Sequence, residues 1–243
     1  MKAKIQYVLQ RILGLKTYLN LFSWYKIKTL HSDKGENDFF HFVKMIPEGS
    51  NVLDVGANIG IMSYYLSKKV GDGKVYAFEP MPQNLATLTW IKHKFKLGNV
   101  SISDVALGNE NGTIEMVMPV VDNVKKQGLS HVLSDDIKDF NEGDTFTTTI
   151  TKLDDLPYLK KTALSAIKID VENFEYHVFL GGEQLIKTNK PIIYCELWDN
   201  ENRYKCFDLL KSYGYKIQFM QNDALITFDA NNHTTQNFFF VPE

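Results

Sequence analysis

Five acidic residues stand where short apolar runs give out: Asp54, Glu79, Asp170, Glu172 and Glu196. Acids at the ends of buried strands can hold hydroxyl groups, attract cations or move protons. The densest signal surrounds the first of them, in Asn51-Val-Leu-Asp-Val-Gly-Ala-Asn-Ile-Gly60. An apolar strand runs there into a glycine turn and then a helix. Gly56 is expected to turn the chain sharply, and Gly60 to let the helix pack close to the strand. Gly56, Ala57, Asn58 and Gly60 are therefore expected to border a nucleotide-type ligand.

The spacing selects among nucleotides. A dinucleotide fingerprint places three glycines as GxGxxG, with pyrophosphate on the helix N-terminus. Asn58 occupies the place of the second glycine, and Asp54 lies two residues before the first. A carboxylate repels pyrophosphate and favours a sulfonium or ammonium. The expected ligand is S-adenosylmethionine (SAM), with an NAD-linked oxidoreductase as the alternative. Glu79 follows Gly60 by 19 residues and ends the next apolar run. An acid so placed accepts hydrogen bonds from ribose hydroxyls. Pro80 and Pro82 then turn the chain away, and Asp104, after the third strand, is expected to bond the adenine amino group.

The positioning elements are legible from periodicity. Val52–Val55, Lys74–Phe78, Val100–Asp104, Ser165–Ile169 and Pro191–Leu197 read as strands, with helical patterns through about Lys69, from Pro82 to Lys96, and through about Ile186 and Tyr213. This alternation predicts an α/β fold, a mostly parallel doubly wound sheet with helices on both faces. Three closing strands, Tyr215–Met220, Leu225–Phe228 and Phe238–Val241, predict an antiparallel edge. Residues 109–151 interrupt the alternation with two apparent strands, Thr113–Met118 and Phe146–Thr151. The polar stretch Asp122–Asp144 between them reads as a lid or binding loop.

The chain has 243 residues, 44% of them hydrophobic, with 16 Phe and 12 Tyr. That suits one large domain over 36–243 preceded by an N-terminal extension, 1–35. A net charge of −2 argues against general nucleic-acid binding. Charge is uneven: residues 1–32 hold Lys2, Lys4, Arg11, Lys16, Lys26 and Lys28 and no acid, leaving 21 basic against 29 acidic residues in the remainder. Ile5, Val8, Leu9, Ile12 and Leu13 follow helical spacing, so the extension reads as a basic amphipathic helix. Its expected roles are docking on the domain, an oligomer contact or attachment to a membrane surface. It lacks the length and the cleavage pattern of a membrane span or signal peptide. Cys195 and Cys206 form no CxxC and read as free thiols in a cytoplasmic protein.

The chain resembles the FkbM-type methyltransferases in Asp54-Val-Gly-Ala-Asn-Ile-Gly60, Phe78-Glu-Pro-Met-Pro-Gln-Asn84, Ala106-Leu-Gly108, Ile167-Lys-Ile-Asp-Val-Glu172 and Glu196-Leu197. Together these span about residues 50–200. The resemblance implies a class I methyltransferase (Rossmann-like), SAM-dependent fold with O-methylation as its usual activity, on varied hydroxyl compounds that include sugars and polyketides. Two positions depart from the family's pattern. Asn173 stands where Gly commonly follows the Asp-Val-Glu run, and Trp90-Ile91 where an Asn is frequent. Asn173 is expected to adopt a left-handed or capping conformation.

Methyl transfer requires an acceptor oxygen in line with methyl and sulfur, and a destination for the hydroxyl proton. Asp170, Glu172 and Glu196 gather at the C-terminal ends of adjacent predicted strands, where open sheets bind ligands. They are the expected catalytic acids, with Asp170 shared between acceptor and cofactor. His131, in the polar insertion, is a further candidate because imidazole titrates near neutrality, whereas His177 reads as structural. Three acids could also hold a divalent ion, but no His joins them locally and no metal is assigned. A catalytically silent SAM-binding protein is the remaining reading of a different class.

Overall fold

The computed structural model of the chain describes residues 2–133 and 140–243. Two helices open it, α1 (Lys2–Leu13) and α2 (Leu15–Thr29), and α3 (Asn37–Met45) leads into the sheet. Then β1 (Asn51–Val55), α4 (Ile61–Val70), β2 (Val75–Phe78), α5 (Pro82–Lys94) and β3 (Val100–Ser103) alternate. An excursion follows through β4 (Ala106–Leu107), β5 (Gly112–Val121), β6 (Val124–Lys125), β7 (His131–Val132) and β8 (Gly143–Thr151). The main sheet resumes with β9 (Leu164–Ile169), α6 (Glu175–Gly181), α7 (Glu183–Asn189), β10 (Ile192–Glu196) and α8 (Glu201–Ser212). It closes with β11 (Tyr215–Gln221), β12 (Ala224–Thr227) and β13 (Asn237–Pro242).

Among the described residues the main sheet has eight strands in the order β12-β11-β13-β10-β9-β1-β2-β3. The strands from β10 to β3 are parallel, whereas β13 runs antiparallel to both β10 and β11, and β12 antiparallel to β11. After β1 the chain moves outward through β2 and β3, then returns to lay β9 on the other side of β1. That reversal opens a crevice beyond the C-terminal ends of β1 and β9.

Strand alternation builds a core on each face. Leu53, Ile167, Phe238 and Phe240 enter one layer, with Phe179 of α6. Val52, Ala166 and Phe239 enter the other, with Phe39 and Phe42 of α3 and Leu66 of α4. The excursion forms a separate sheet in which β5 pairs antiparallel with β8 from Gly112↔Ile150 to Pro119↔Gly143. Its inner residues Met116, Met118, Val132 and Ile150 pack against Met81 and Phe174 of the main domain. Of the polar stretch Asp122–Asp144, residues 134–139 lie outside the described residues.

The N-terminal segment differs from a single amphipathic helix. It breaks at Gly14, and α2 seats on the glycine turn rather than apart from it. Ser23 Oγ donates to Ile59 O at 2.8 Å, and Tyr65 OH donates to Ile27 O at 2.5 Å. Tyr18 and Leu19 pack against Ile59. Ser23→Ala should cost about 1 kcal/mol, the net worth of one buried hydrogen bond. Urea unfolding would read this as a lower midpoint; an unchanged midpoint would show that the bond does not hold the helix. The helix expected after β9 is also divided, into α6 and α7 around Gly182.

Candidate functional site

The turn after β1 is fixed from two sides. Gly56 has φ 72°, and a Cβ there would lie 1.9 Å from the Asp170 carbonyl oxygen, so only glycine permits this approach of β1 to β9. Gly60 has φ 81°, and its Cβ would lie 2.8 Å from Leu88 Cδ1, so its value lies in close packing of α5. Both Gly56 N–H and Ala57 N–H donate to Phe78 O, at 3.1 and 2.9 Å. Asn58, with φ 49°, donates its N–H to Glu79 Oε2 at 2.7 Å.

Glu79 is buried at the end of β2. Its Oε1 also accepts from Met81 N–H at 2.9 Å and Asn84 Nδ2 at 3.3 Å. Burial raises its pKa to about 7, against the lowering effect of these donors. Asn58 Oδ1 and Asn84 Oδ1 are buried without a hydrogen-bond partner. In a native protein such oxygens signal a ligand or water.

Glu79, Asp170 and Glu172 line one crevice together with Pro80, Met81 and Val105. Gln127, Gly128 and Ser130 of the excursion form its opposite wall. The lining holds three carboxylates and no Lys, Arg or His among the described residues. Glu172 has φ 53° and Asn173 φ 76°, so two successive left-handed residues turn the chain out of β9. Asn173 adopts the left-handed form expected of it. Glu175 locks the bend: its Oε1 accepts from Val171 N–H and Asn173 N–H, both at 3.1 Å. Burial pushes its pKa up to about 8. Glu172 and Glu196 are also raised, first by burial and then by the nearby negative charge of Asp170.

Lys168 is the counter-charge to this cluster. It is buried in β9, 3.6 Å from Asp54 Oδ1 and 3.5 Å from Asp170 Oδ2, and its Nζ donates to Gly56 O at 2.8 Å. Burial works against the ammonium, but Asp170, Asp54, Glu196 and Glu79 outweigh it, so its pKa is raised. Lys168 therefore remains a cation and is no candidate base at neutral pH.

A second cavity adjoins the first and shares Gly56, Asn58, Gln127, Gly128 and Asp170 with it. Ala57 and Lys168 lie in its floor, and Phe22, Lys26 and Leu30, from α2 and the residue after it, and Glu36 form its outer wall. Lys26 Nζ pairs with Asp33 Oδ2 at 3.0 Å. The N-terminal segment thus contributes charged side chains beside the glycine turn.

Five expected site residues line neither cavity: Asp54, Gly60, Asp104, His131 and Glu196, the last partly buried at the end of β10. Asp54 is fully buried behind the turn, where Ser63 Oγ donates to Oδ2 at 2.5 Å and Lys168 faces Oδ1. Its charge reaches the crevice only through Lys168, which corrects the picture of a carboxylate facing the ligand. Asp104 is exposed and outside both cavities, while its neighbour Val105 lines the first. His131 is buried in β7 rather than set in a loop. Its Nδ1 pairs with Leu129 O at 2.8 Å and its Nε2 with Asn141 Oδ1 at 2.9 Å, so both ring nitrogens are engaged within the excursion. His177 stacks on Phe174, with ring centroids 4.4 Å apart. Among the described residues no three His, Cys, Asp or Glu side chains are grouped to hold a metal, and Cys195 and Cys206 are free and buried.

Sequence reading counted Lys26 only among the basic residues of the extension and assigned no site role to Lys168, Glu175 or Glu36. A charged residue inside the apolar run Ala166–Ile169 is a readable signal, because such a residue requires buried partners.

Similarity to known proteins accords with this architecture. The chain is 23% identical over 196 residues to Methyltransferase 1 of Beauveria bassiana, covering 74% of this chain and 78% of that one. It is 23% identical over 216 residues to the AMB antimetabolite synthetase AmbE of Pseudomonas aeruginosa, covering 75% of this chain and 10% of the synthetase. The crystal structure of methyltransferase FkbM from Methylobacillus flagellatus superposes with a TM-score of 0.53 at 16% identity, over 79% of this chain and 44% of that one. The fold is therefore that of class I methyltransferases. The profile described as the methyltransferase FkbM domain matches residues 54–217, more than half of the sequence, and the chain belongs to that family.

Proposed function

We propose that the protein transfers the methyl group of SAM to a hydroxyl oxygen of a small-molecule or glycan acceptor. The observation that carries this reading is the acidic lining of the first crevice: three carboxyl groups and no basic side chain among the described residues. Such a lining suits a cationic sulfonium and opposes a pyrophosphate. The turn amides point the same way. Gly56 N–H and Ala57 N–H are taken by Phe78 O, and Asn58 N–H by Glu79, so they do not form the anion-binding nest a dinucleotide needs. The unpaired buried oxygens of Asn58 and Asn84 supply acceptors for a ligand's hydroxyl and amino groups.

SAM supplies an already activated methyl group, so the chain's own task is placement and proton handling. Glu79 would hold the ribose hydroxyls while its second oxygen anchors the bend at Met81. Asp170 borders both cavities and is kept in position by Lys168. It would orient the acceptor hydroxyl at their junction. Glu196, raised to about 7 by burial and by Asp170, would take the hydroxyl proton near neutral pH, whereas Glu172, raised to about 9 by the same causes, would keep its own proton there and donate a hydrogen bond.

Calorimetric titration with SAM and with NAD tests the cofactor: SAM should bind and NAD should not, and the reverse result would remove the proposal. Transfer of tritium from methyl-labelled SAM into hydroxyl acceptors separates an enzyme from a silent SAM-binding protein. Asp170→Asn should lower turnover about tenfold or more while changing SAM affinity less, as expected for a group that acts on the acceptor in the transition state. Equal loss of both would move Asp170 to the cofactor side alone.

A further inference from the structure

An amphipathic helix on a globular domain normally turns its apolar stripe inward. In α1 the arrangement is reversed. Between residues 4 and 13 the partly covered side chains are Gln6 and Gln10, and the rest are exposed. Gln10 bonds the excursion twice, Nε2 to Lys125 O at 3.1 Å and Oε1 from Lys125 N–H at 3.2 Å. Gln6 Oε1 accepts from Lys126 Nζ at 2.9 Å. The helix is therefore pinned by its polar edge. Its apolar stripe faces away, with Ile5 55% exposed, Val8 49% and Ile12 75%. On α2, Leu21, Trp24 and Tyr25 are exposed at spacings of three and four and so share one helical face.

We infer that α1 and the outer face of α2 form a docking surface for an anionic lipid bilayer. The charge pattern selects this occupant. Residues 1–32 hold six basic residues and no acid, although the whole chain is net negative. Lys4, Arg11, Lys16 and Lys28 are exposed around the apolar stripes. Apolar side chains ringed by Lys and Arg, with Trp and Tyr beside them, match the acyl–headgroup boundary of a negatively charged membrane. A second copy of the chain would fit poorly: a twofold contact would press one acid-free basic segment against another. No described helix is long and apolar enough to cross a bilayer, so the contact is a surface one.

Sedimentation of the full chain with phosphatidylcholine vesicles, with and without phosphatidylserine, provides the test. The protein should pellet with the phosphatidylserine vesicles and be released by high salt. Ile12→Ser combined with Val8→Ser, and separately Lys4→Glu combined with Arg11→Glu, should each lower binding about tenfold or more. All four positions are exposed, so circular dichroism and melting temperature should match the parent. Failure of the parent chain to pellet with phosphatidylserine vesicles, or undiminished binding by the charge-reversed variant, would overturn the inference. So would a solution dimer, seen by light scattering, that the Ile12→Ser/Val8→Ser change dissolves, since a second copy would then own the surface.

Discussion

Glu79→Ala should weaken SAM binding by about a hundredfold or more. A hydrogen bond to a charged group contributes ~1.5–3 kcal/mol, and two ribose hydroxyls would lose their shared acceptor. The truncation also removes the acceptor for Asn58 N–H and Met81 N–H, leaving two amides at the crevice without their partner. An ionised carboxylate accepts from a diol more strongly than a protonated one, which gives up one oxygen to its own proton, and burial raises the pKa of Glu79 to about 7. SAM affinity should therefore rise as pH increases from 6 to 8, with proton release on binding at the acid end. Isothermal titration in buffers of different ionisation enthalpy measures both effects. Affinity that is flat with pH in the parent and unchanged in Glu79→Ala would remove Glu79 from the cofactor site.

The second large effect concerns the unliganded protein, which should lose stability as pH rises. Glu79 and Glu175 are buried, and their pKa values are raised to about 7 and about 8 from an unfolded value near 4.5. The folded state thus retains protons that the unfolded chain has already released. A raised group of this kind contributes fully below its unfolded pKa, and the contribution fades as pH climbs through the folded value. For Glu79 alone the difference amounts to roughly 3 kcal/mol once pH exceeds 7, at 1.36 kcal/mol per unit. Glu172 and Glu196 shift in the same direction. Urea midpoints should fall steadily between pH 6 and pH 8.5. Glu175→Gln retains an acceptor for Val171 N–H and Asn173 N–H but cannot ionise, so it should flatten that slope. A midpoint that rises over the same interval would contradict the burial of these acids.

Much of the scaffold is legible in the sequence alone. The run from Asn51 to Gly60 announces strand, turn and helix because each part has its own local chemistry: apolar residues, glycines, then helical periodicity. The strands Phe238–Val241 and Pro191–Leu197 are similarly plain from their composition. Orientation was less accessible. Strand periodicity says which side of a sheet Asp54 faces, but not that Ser63 and Lys168 enclose it before it can reach a ligand. Helical spacing identifies the apolar stripe of α1, but it cannot reveal that Gln6 and Gln10 provide the attachment. The excursion obscured His131 for a related reason. Its neighbours Gly128 and Ser130 read as loop, while pairing of Val117 with His131 across β5 and β7 brings the ring inside. These features arise from contacts between residues far apart in the chain, and a local pattern carries no record of them.

The bend after β1 is braced to its neighbouring strand before any guest arrives, through paired amides on one carbonyl and a carboxylate on the third. A binding loop that is already stiff has little freedom left to surrender on complexation. Association at this end of the sheet should accordingly show a small configurational entropy penalty, because Gly56 and its neighbours already hold their bound-like positions.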